Sequence, residues 1–452
     1  MTKTKISPRR RGGLHRGIAV ASTLALLTLA LAAYSTKTTI QSGTETDSVS
    51  ISADGNRVAY RRTTSTGTEI AVWDRTSSWT HVMSTGLLNV GRPRISRDGK
   101  YVGFTGQSTS GGIYIPYANR IDKATTPSPV EISPYKGGDT PPAVSDELSP
   151  TGTLHARFIW WEPKVFPATL TTPEQHYTLR AADVSDSYVA VTPSNTTYPP
   201  GCDSNPLNPC PDDQQRIPIT AQADGTWLDG TDPAIKSDGT KVYFVANSTG
   251  QIRETDYGVA GANWTSWLVS STIISTNTAG TVSNGTCATP STSSDGRYVA
   301  FTSNASNLGG SDGGGNYDVY VRDTSGMTTT RAYTGNTQSM AIGGSDALYP
   351  EVAASGTFVA FYSGSTTIVT TAFCTSPPRG PLWIKVAAFV ADWSTQAVEP
   401  LSVETASSCL GQGYFPSIST NRAQAGFHSV TPGIATGDND SLVNVIFFDG
   451  HT

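Results

Sequence analysis

A motif of nine to ten residues recurs seven times in this chain, and that repetition constrains the fold more than any other feature. It reads roughly I-S-x-D-G-x-x-V-A-F. The copies run over residues 51–60, 95–104, 148 to about 158, 235–244, 292–301, 352–361 and 418–427. Self-similarity at this period means one supersecondary unit that cannot bury its apolar face alone and stacks on copies of itself.

Each copy reads as a β-hairpin. Asp54-Gly55, Asp98-Gly99, Asp238-Gly239 and Asp295-Gly296 supply the positive φ of a tight turn. Thr151-Gly152 and Ser355-Gly356 keep only the glycine, and Asn421-Arg422 is the most degenerate turn. In the second strand an apolar and an aromatic residue share one face, as in Val58 and Tyr60, Val102 and Phe104, or Val299 and Phe301. Between them stands a small residue: Ala59, Gly103, Ala300, Ala360 or Gly426. One bulky and one small face suit a sheet packed on both sides. The copy at 148–158 departs most, since His155 and Arg157 fall on the bulky face unless a bulge returns Phe158 to register.

Two more strands follow each hairpin, such as 69–74 and 80–83, or 317–323 and 328–333. The unit is a four-stranded antiparallel meander, and seven of them arranged radially make an all-β, seven-bladed β-propeller. Low charge (15% of residues) and 44 glycines agree with an all-β chain. The turn positions are spaced 44, 53, 87, 57, 60 and 66 residues apart. The long gap reads as an insertion at 197–216 in preference to a further blade, with six or eight blades as the alternatives. The last unit ends after its third strand, 443–449, and a spare strand, 36–41, precedes the first hairpin. The N-terminal strand is therefore expected to complete the last blade and close the ring.

Residues 1–34 read as a targeting segment and residues 35–452 as the propeller. Lys3, Lys5, Arg9, Arg10, Arg11 and Arg16 form a basic region, an apolar run covers 18–33, and Ala30-Leu31-Ala32 suits signal peptidase. The alternative is a membrane anchor over 17–34, with the propeller facing outside. Arg10-Arg11 raises a twin-arginine route, but Gly12-Gly13 stand where that signal carries apolar residues. The segment holds 6 of 31 basic residues and none of the 36 acids, so the remainder carries 25 against 36, or −11. That balance argues against nucleic acid as a partner. The expected location is secreted, periplasmic or elsewhere in the cell envelope.

Of five cysteines, Cys202 and Cys210 flank a turn-rich segment, and Cys374 and Cys409 come from one blade neighbourhood; both are candidate disulfides, with Cys287 left over.

The hairpin followed by an I/V-Y/F-V-x-D strand, best matched over Ser293–Asp323, resembles the repeat of the TolB-type β-propeller family, a WD40-like architecture. The resemblance covers nearly all of 35–452 and implies fold. The N-terminal domain of TolB and the hydrolase domain of related peptidases have no counterpart here, so the resemblance carries no particular envelope partner with it.

Blade topology puts every Asp-Gly turn on one rim and the irregular loops on the other, where binding is expected. Two loops there, Asp312–Asp318 and Asp438–Asn444, offer Asp312, Asp318, Asp438, Asp440 and Asn444 as oxygen ligands suited to Ca²⁺. Self-bonded Asx turns explain the same residues without a metal. No catalytic residue and no certain cofactor is read from the chain: there is no H-E-x-x-H and no G-x-S-x-G, and His81, His155, His176, His428 and His451 are scattered. The sialidase Asp-box differs in its glycine position and carries a Trp absent here. Trp160-Trp161-Glu162 fits a buried strand end better than a sugar platform. The expectation is a non-enzymatic binding protein, presenting its loop-rich face to an envelope or extracellular protein or glycan. A propeller-type glycoside hydrolase or polysaccharide lyase is the alternative.

Overall fold

The S-x-D-G signature folds locally for a reason visible in each hairpin. In the computed structural model, Ser52 Oγ donates to Asp54 Oδ1 (2.5 Å) and accepts the Arg57 amide (3.0 Å) from the returning strand. Ser96–Asp98 and Ser293–Asp295 repeat the hydroxyl-to-carboxylate bond at 2.6 Å. The same aspartates accept the amide two residues on, at 3.0 Å from Asn56 and from Arg297. Gly55, Gly99, Gly239 and Gly296 sit at φ between 71° and 73°. The second motif aspartate caps the next turn: Asp323 accepts the Ser325 and Gly326 amides and pairs in bidentate fashion with Arg297 (3.0 and 2.8 Å). That donation from Arg297 holds the Asp323 carboxyl at about 2.

The structure describes residues 36–41, 46–109, 112–121, 128–132, 141–148, 156–164, 176–184, 189–190, 217–218, 228–256, 271–309, 315–334, 347–365, 367–369, 371–374, 386–404, 408–435 and 443–449. These form seven antiparallel sheets. Blade 1 is Thr46–Ile51, Arg57–Thr64, Gly67–Asp74 and Trp79–Val82; blades 4, 5 and 6 repeat this order from Gly230, Cys287 and Ala347. Blade 2 splits its inner strand into Asn89–Val90 and Arg94–Ile95. Blade 7 is built from Tyr414–Ile418, Gln424–Ser429 and Asn444–Asp449, and Thr36–Gln41 adds its outer strand by pairing antiparallel with Asn444–Asp449. The expected closure is thus present. Residues 1–34, read above as a targeting segment, lie outside the described residues, and among those described no helix is long and apolar enough to cross a membrane.

Seven apolar clusters match the seven sheets, each lying between two of them. A closed ring needs as many interfaces as blades. The bulky face of each second strand looks to the preceding blade, and the small face receives the bulk of the following one. A Cβ on Gly103 would meet Val144 Cγ2 at 2.9 Å and Phe158 at 3.2 Å, and one on Gly426 would meet Val49 and Ile51 at 2.8 and 2.9 Å.

Blade 3 corrects the sequence reading. Its inner strand is Ala143–Val144, paired with Phe158 and Ile159, so the inner strand precedes the expected copy at Leu148. Val144 and its partner Phe158 are 14 residues apart, against seven for Ile51 and Val58. A longer connection, and not a bulge, puts Phe158 in register. Arg157 then matches Arg57, and each donates to the turn glycine carbonyl of the following blade: Arg157 to Gly239 (2.9 Å), Arg57 to Gly99 (2.8 Å).

On the Asp-Gly rim the blades are joined by hydrogen bonds that run round the whole ring. The Ala53 amide donates to Arg97 O (2.7 Å), and the Asp98 amide to Asp146 Oδ1 (2.8 Å). Asp146 N then donates to Ser237 O (2.9 Å), Ser237 N to Ser294 O (3.2 Å) and Ser294 N to Ala354 O (3.0 Å). Ser355 Oγ donates to Thr420 O (2.7 Å), and Thr420 N returns to Ala53 O (2.8 Å).

Two predictions follow from this packing. Deleting residues 36–41 strips the partner from the third strand of blade 7 and should lower Tm by about 2–3 °C, as a loss of about 2 kcal/mol does in a domain of about 400 residues; an unchanged calorimetric Tm would contradict the closure. Gly356 has φ 81°, and a Cβ there would lie 2.1 Å from Tyr298 Cδ2, whereas Gly280 at φ 83° has open space around it. Gly356→Ala should cost about 2–4 kcal/mol in denaturant unfolding, and Gly280→Ala only the backbone term of about 1–2 kcal/mol.

Candidate functional site

The inner strands do more than join blades. In five of the seven, one residue takes a left-handed backbone: Ser48, Asp232, Thr289, Tyr349 and Phe415, with φ between 45° and 58°. Each lies at a register shift against its second strand. Non-glycine residues pay about 1–2 kcal/mol for that conformation. A bulge re-aims the side chain beside it, and all five line one cavity of about 730 Å³ in the middle of the ring. Arg92 lines it from the equivalent position of blade 2. These residues mark the end of the inner strands away from the Asp-Gly rim.

One signal in the sequence could have located this tier. A proline stands five residues before the turn's Asp position in five copies: Pro93, Pro233, Pro290, Pro350 and Pro416. The residue before each proline is the one presented to the cavity.

At the mouth, the Arg92 guanidinium lies 3.9 Å from the centroid of Phe415 and 5.4 Å from that of Tyr349. The two rings meet edge to face at 4.7 Å. Tyr362 stacks on Tyr349 at 5.8 Å, and His428 stacks on Tyr414 at 5.0 Å while accepting the Ser48 amide at Nδ1 (3.3 Å). The platform is thus backed by further rings and still open to a ligand, since Tyr349 remains 40% exposed.

Two positions past the left-handed residues, serines serve the joints. Ser50, Ser291 and Ser417 Oγ accept the amides of Ile95, Val352 and Ile51 in the following blades, at 2.8–3.1 Å. The other blades put charge there. Arg94 Nη1 reaches from blade 2 to Pro233 O of blade 4 (2.7 Å). Arg97 donates to Thr292 O and to Val352 O (3.3 Å for the latter), so it spans the floor from blade 2 to blades 5 and 6. Burial lowers the pKa of both arginines, against the pull of Glu351. Glu351 accepts Ser417 Oγ at 2.8 Å. Burial raises its carboxyl, outweighing the Ser417 hydroxyl, Arg97 and Arg94. The cavity lining thus includes Arg61, Arg92, Arg94 and Arg97 against Asp232 and Glu351 and, among the described residues, no histidine.

Of the residues singled out from sequence, those among the described residues fall elsewhere. Asp318 is fully buried at the start of a third strand, where it accepts Tyr333 Oη (2.5 Å) and faces Arg331 at 3.5 Å. Asn444 is buried at the equivalent start in blade 7. Asp312, Asp438 and Asp440 lie outside the described residues, as do Cys202 and Cys210. Cys374 and Cys409 are joined as a disulfide, and Cys287 is a buried free thiol. Among the described residues, Cys374, Glu404 and Cys409 bring three potential metal-ligand atoms within 4.8 Å of one another. Trp160 is buried between blades 2 and 3.

Comparison with known proteins places the fold. No protein-family model and no curated protein matches the chain. An oligogalacturonate lyase solved in complex with manganese aligns with a TM-score of 0.50 at 10% identity, covering 92% of this chain and 93% of that one. The oligogalacturonate lyase of Vibrio parahaemolyticus aligns at 0.51 and 10%, covering 91% and 93%. A TolB-like protein from Agrobacterium tumefaciens aligns at 0.38 and 17%, covering 64% and 81%. At such identities the two lyases share a propeller fold with this chain, and the third likeness is too loose to argue from.

The raised carboxyl of Glu351 gives a pH prediction. Below its ordinary value of 4.5 the group is protonated in both folded and unfolded chains. As pH rises past that value the unfolded chain ionises first, so stability is lost until the folded carboxyl has titrated too. Glu351→Gln should flatten that decline in unfolding free energy above pH 4.5; a variant with the wild-type slope would contradict it.

Proposed function

We propose that this chain is an exported, non-enzymatic binding protein, which receives an anionic group of an envelope or extracellular partner at the channel mouth on the loop-rich face. The observation that carries this reading is four arginines lining one cavity of a chain whose net charge is −5. Low-dielectric walls focus a local positive field even where the whole molecule is negative, and so draw anions inward. Arginine pairs with carboxylates in a planar, bidentate manner. The Arg92–Phe415–Tyr349 platform adds flat apolar surface for a sugar face or a peptide side chain. An acidic glycan meets both features, and an acidic protein segment is the other occupant to be distinguished.

The second reading, a glycoside hydrolase or polysaccharide lyase, is favoured by Asp232 and Glu351, two carboxylates in the same cavity. Both act on Arg94 electrostatically, which fits a structural or ligand-orienting part as well as acid–base work.

Titration calorimetry with uronic-acid and neutral oligosaccharides, alongside affinity capture from the secreted and envelope fractions, tests the proposal. Binding should be confined to anionic ligands and weaken with added salt. Arg92→Ala should weaken it about ten-fold, a loss of about 1.4 kcal/mol. Equal affinity for neutral ligands would remove the anion reading, and turnover of a bound glycan would replace binding with catalysis.

A further inference from the structure

Away from the channel, the connection between blades 6 and 7 crosses the long loop that follows the second strand of blade 6. Leu410 makes a parallel bridge to Phe373 and an antiparallel one to Val403. Cys374 N donates to Leu410 O, Leu410 N to Ala372 O and Glu404 N to Cys409 O, each at 2.9 Å. Three segments are therefore held together by backbone bonds that do not involve the Cys374–Cys409 disulfide.

Glu404 Oε2 lies 3.4 Å from Cys409 Sγ and 3.7 Å from Cys374 Sγ. Disulfide sulfurs carry no proton, so these are contacts and not hydrogen bonds. A tetrahedral Zn²⁺ with Zn–S of about 2.3 Å and Zn–O of about 2.0 Å has an S···O edge of about 3.5 Å. The carboxylate oxygen thus already stands at ligand spacing from both sulfurs. What keeps the set from being a metal site is the bond between the sulfurs, which leaves both uncharged and poor ligands where a metal takes thiolates.

We infer that reduction of Cys374–Cys409 turns this cluster into a zinc site, with two thiolates and the Glu404 carboxylate as ligands and a fourth position open to water. A dithiol reductant delivers two electrons and two protons to the disulfide and leaves as its own disulfide. The two new thiols then release their protons as Zn²⁺ binds. Two thiolates and one carboxylate suit Zn²⁺ and not Ca²⁺, which takes six to eight oxygen ligands. The site lies five residues before Tyr414, where the inner strand of blade 7 begins its run to the channel mouth.

The test uses the full chain with Cys202→Ser, Cys210→Ser and Cys287→Ser, so that no other thiol contributes. After anaerobic reduction with a phosphine, Zn²⁺ is measured by release to a chromophoric chelator, and Co²⁺ by its thiolate charge-transfer band. One metal per reduced chain is expected and none per oxidised chain. Adding Cys374→Ser and Cys409→Ser should abolish binding, and Glu404→Gln should weaken it at least about ten-fold. Circular dichroism should show the reduced chain still folded. Loss of the fold on reduction, a folded reduced chain that retains no zinc, or undiminished binding in the serine variant would each overturn the inference.

Discussion

The molecule rests on how one blade takes hold of the next. The residue just before each turn's Asp position, Ala53, Arg97, Ser237, Ser294, Ala354 or Thr420, offers its backbone to a neighbour's turn, with Asp146 filling that place in blade 3. These bonds are short-range; five of the seven join backbone to backbone, and the other two use Asp146 Oδ1 and Ser355 Oγ, so blade spacing depends little on the remaining side chains. The bulky-into-small packing above them adds apolar burial but little direction. Geometry comes from the joints and cohesion from the seven apolar clusters.

This division of labour explains where a site can form. At the Asp-Gly end the inner strands are spent on joints, and Arg97 crosses the remaining space. At the far end the strands kink into the left-handed region, and side chains turn to the cavity. Strain of about 1–2 kcal/mol at each of five equivalent positions persists only where the surrounding structure over-determines it. Here the joints on one side and the ladder to the second strand on the other provide that support. Blade 2 is the exception that supplies the charge, since Arg92, Arg94 and Arg97 all come from one short inner segment.

Much of the fold was legible because its causes are local. An Asp-Gly pair dictates a turn, a Val-Ala-Phe strand dictates two unlike faces, and the spare strand at 36–41 answers a missing one at the end. Blade 3 was misplaced for a related reason: its connection is too long for a tight turn, so the motif pointed to Leu148 while the strand formed at Ala143–Val144. The Cys374–Cys409 disulfide could be anticipated from neighbouring loops, but Glu404 could not, because only the fold brings it to the sulfurs. The channel site was hidden for the same reason. Its residues come from several blades, and the mark that Arg92, Asp232, Thr289, Tyr349 and Phe415 share, a following proline, reads in isolation as ordinary loop punctuation.

Native-state hydrogen exchange tests the joints most directly. If the ring of bonds fixes the propeller, the amides of Ala53, Ser237, Ser294 and Thr420 should exchange only through global unfolding, with the same free energy and denaturant dependence as the second-strand amides. Exchange of these four amides by separate, lower-energy openings, blade by blade, would contradict the account.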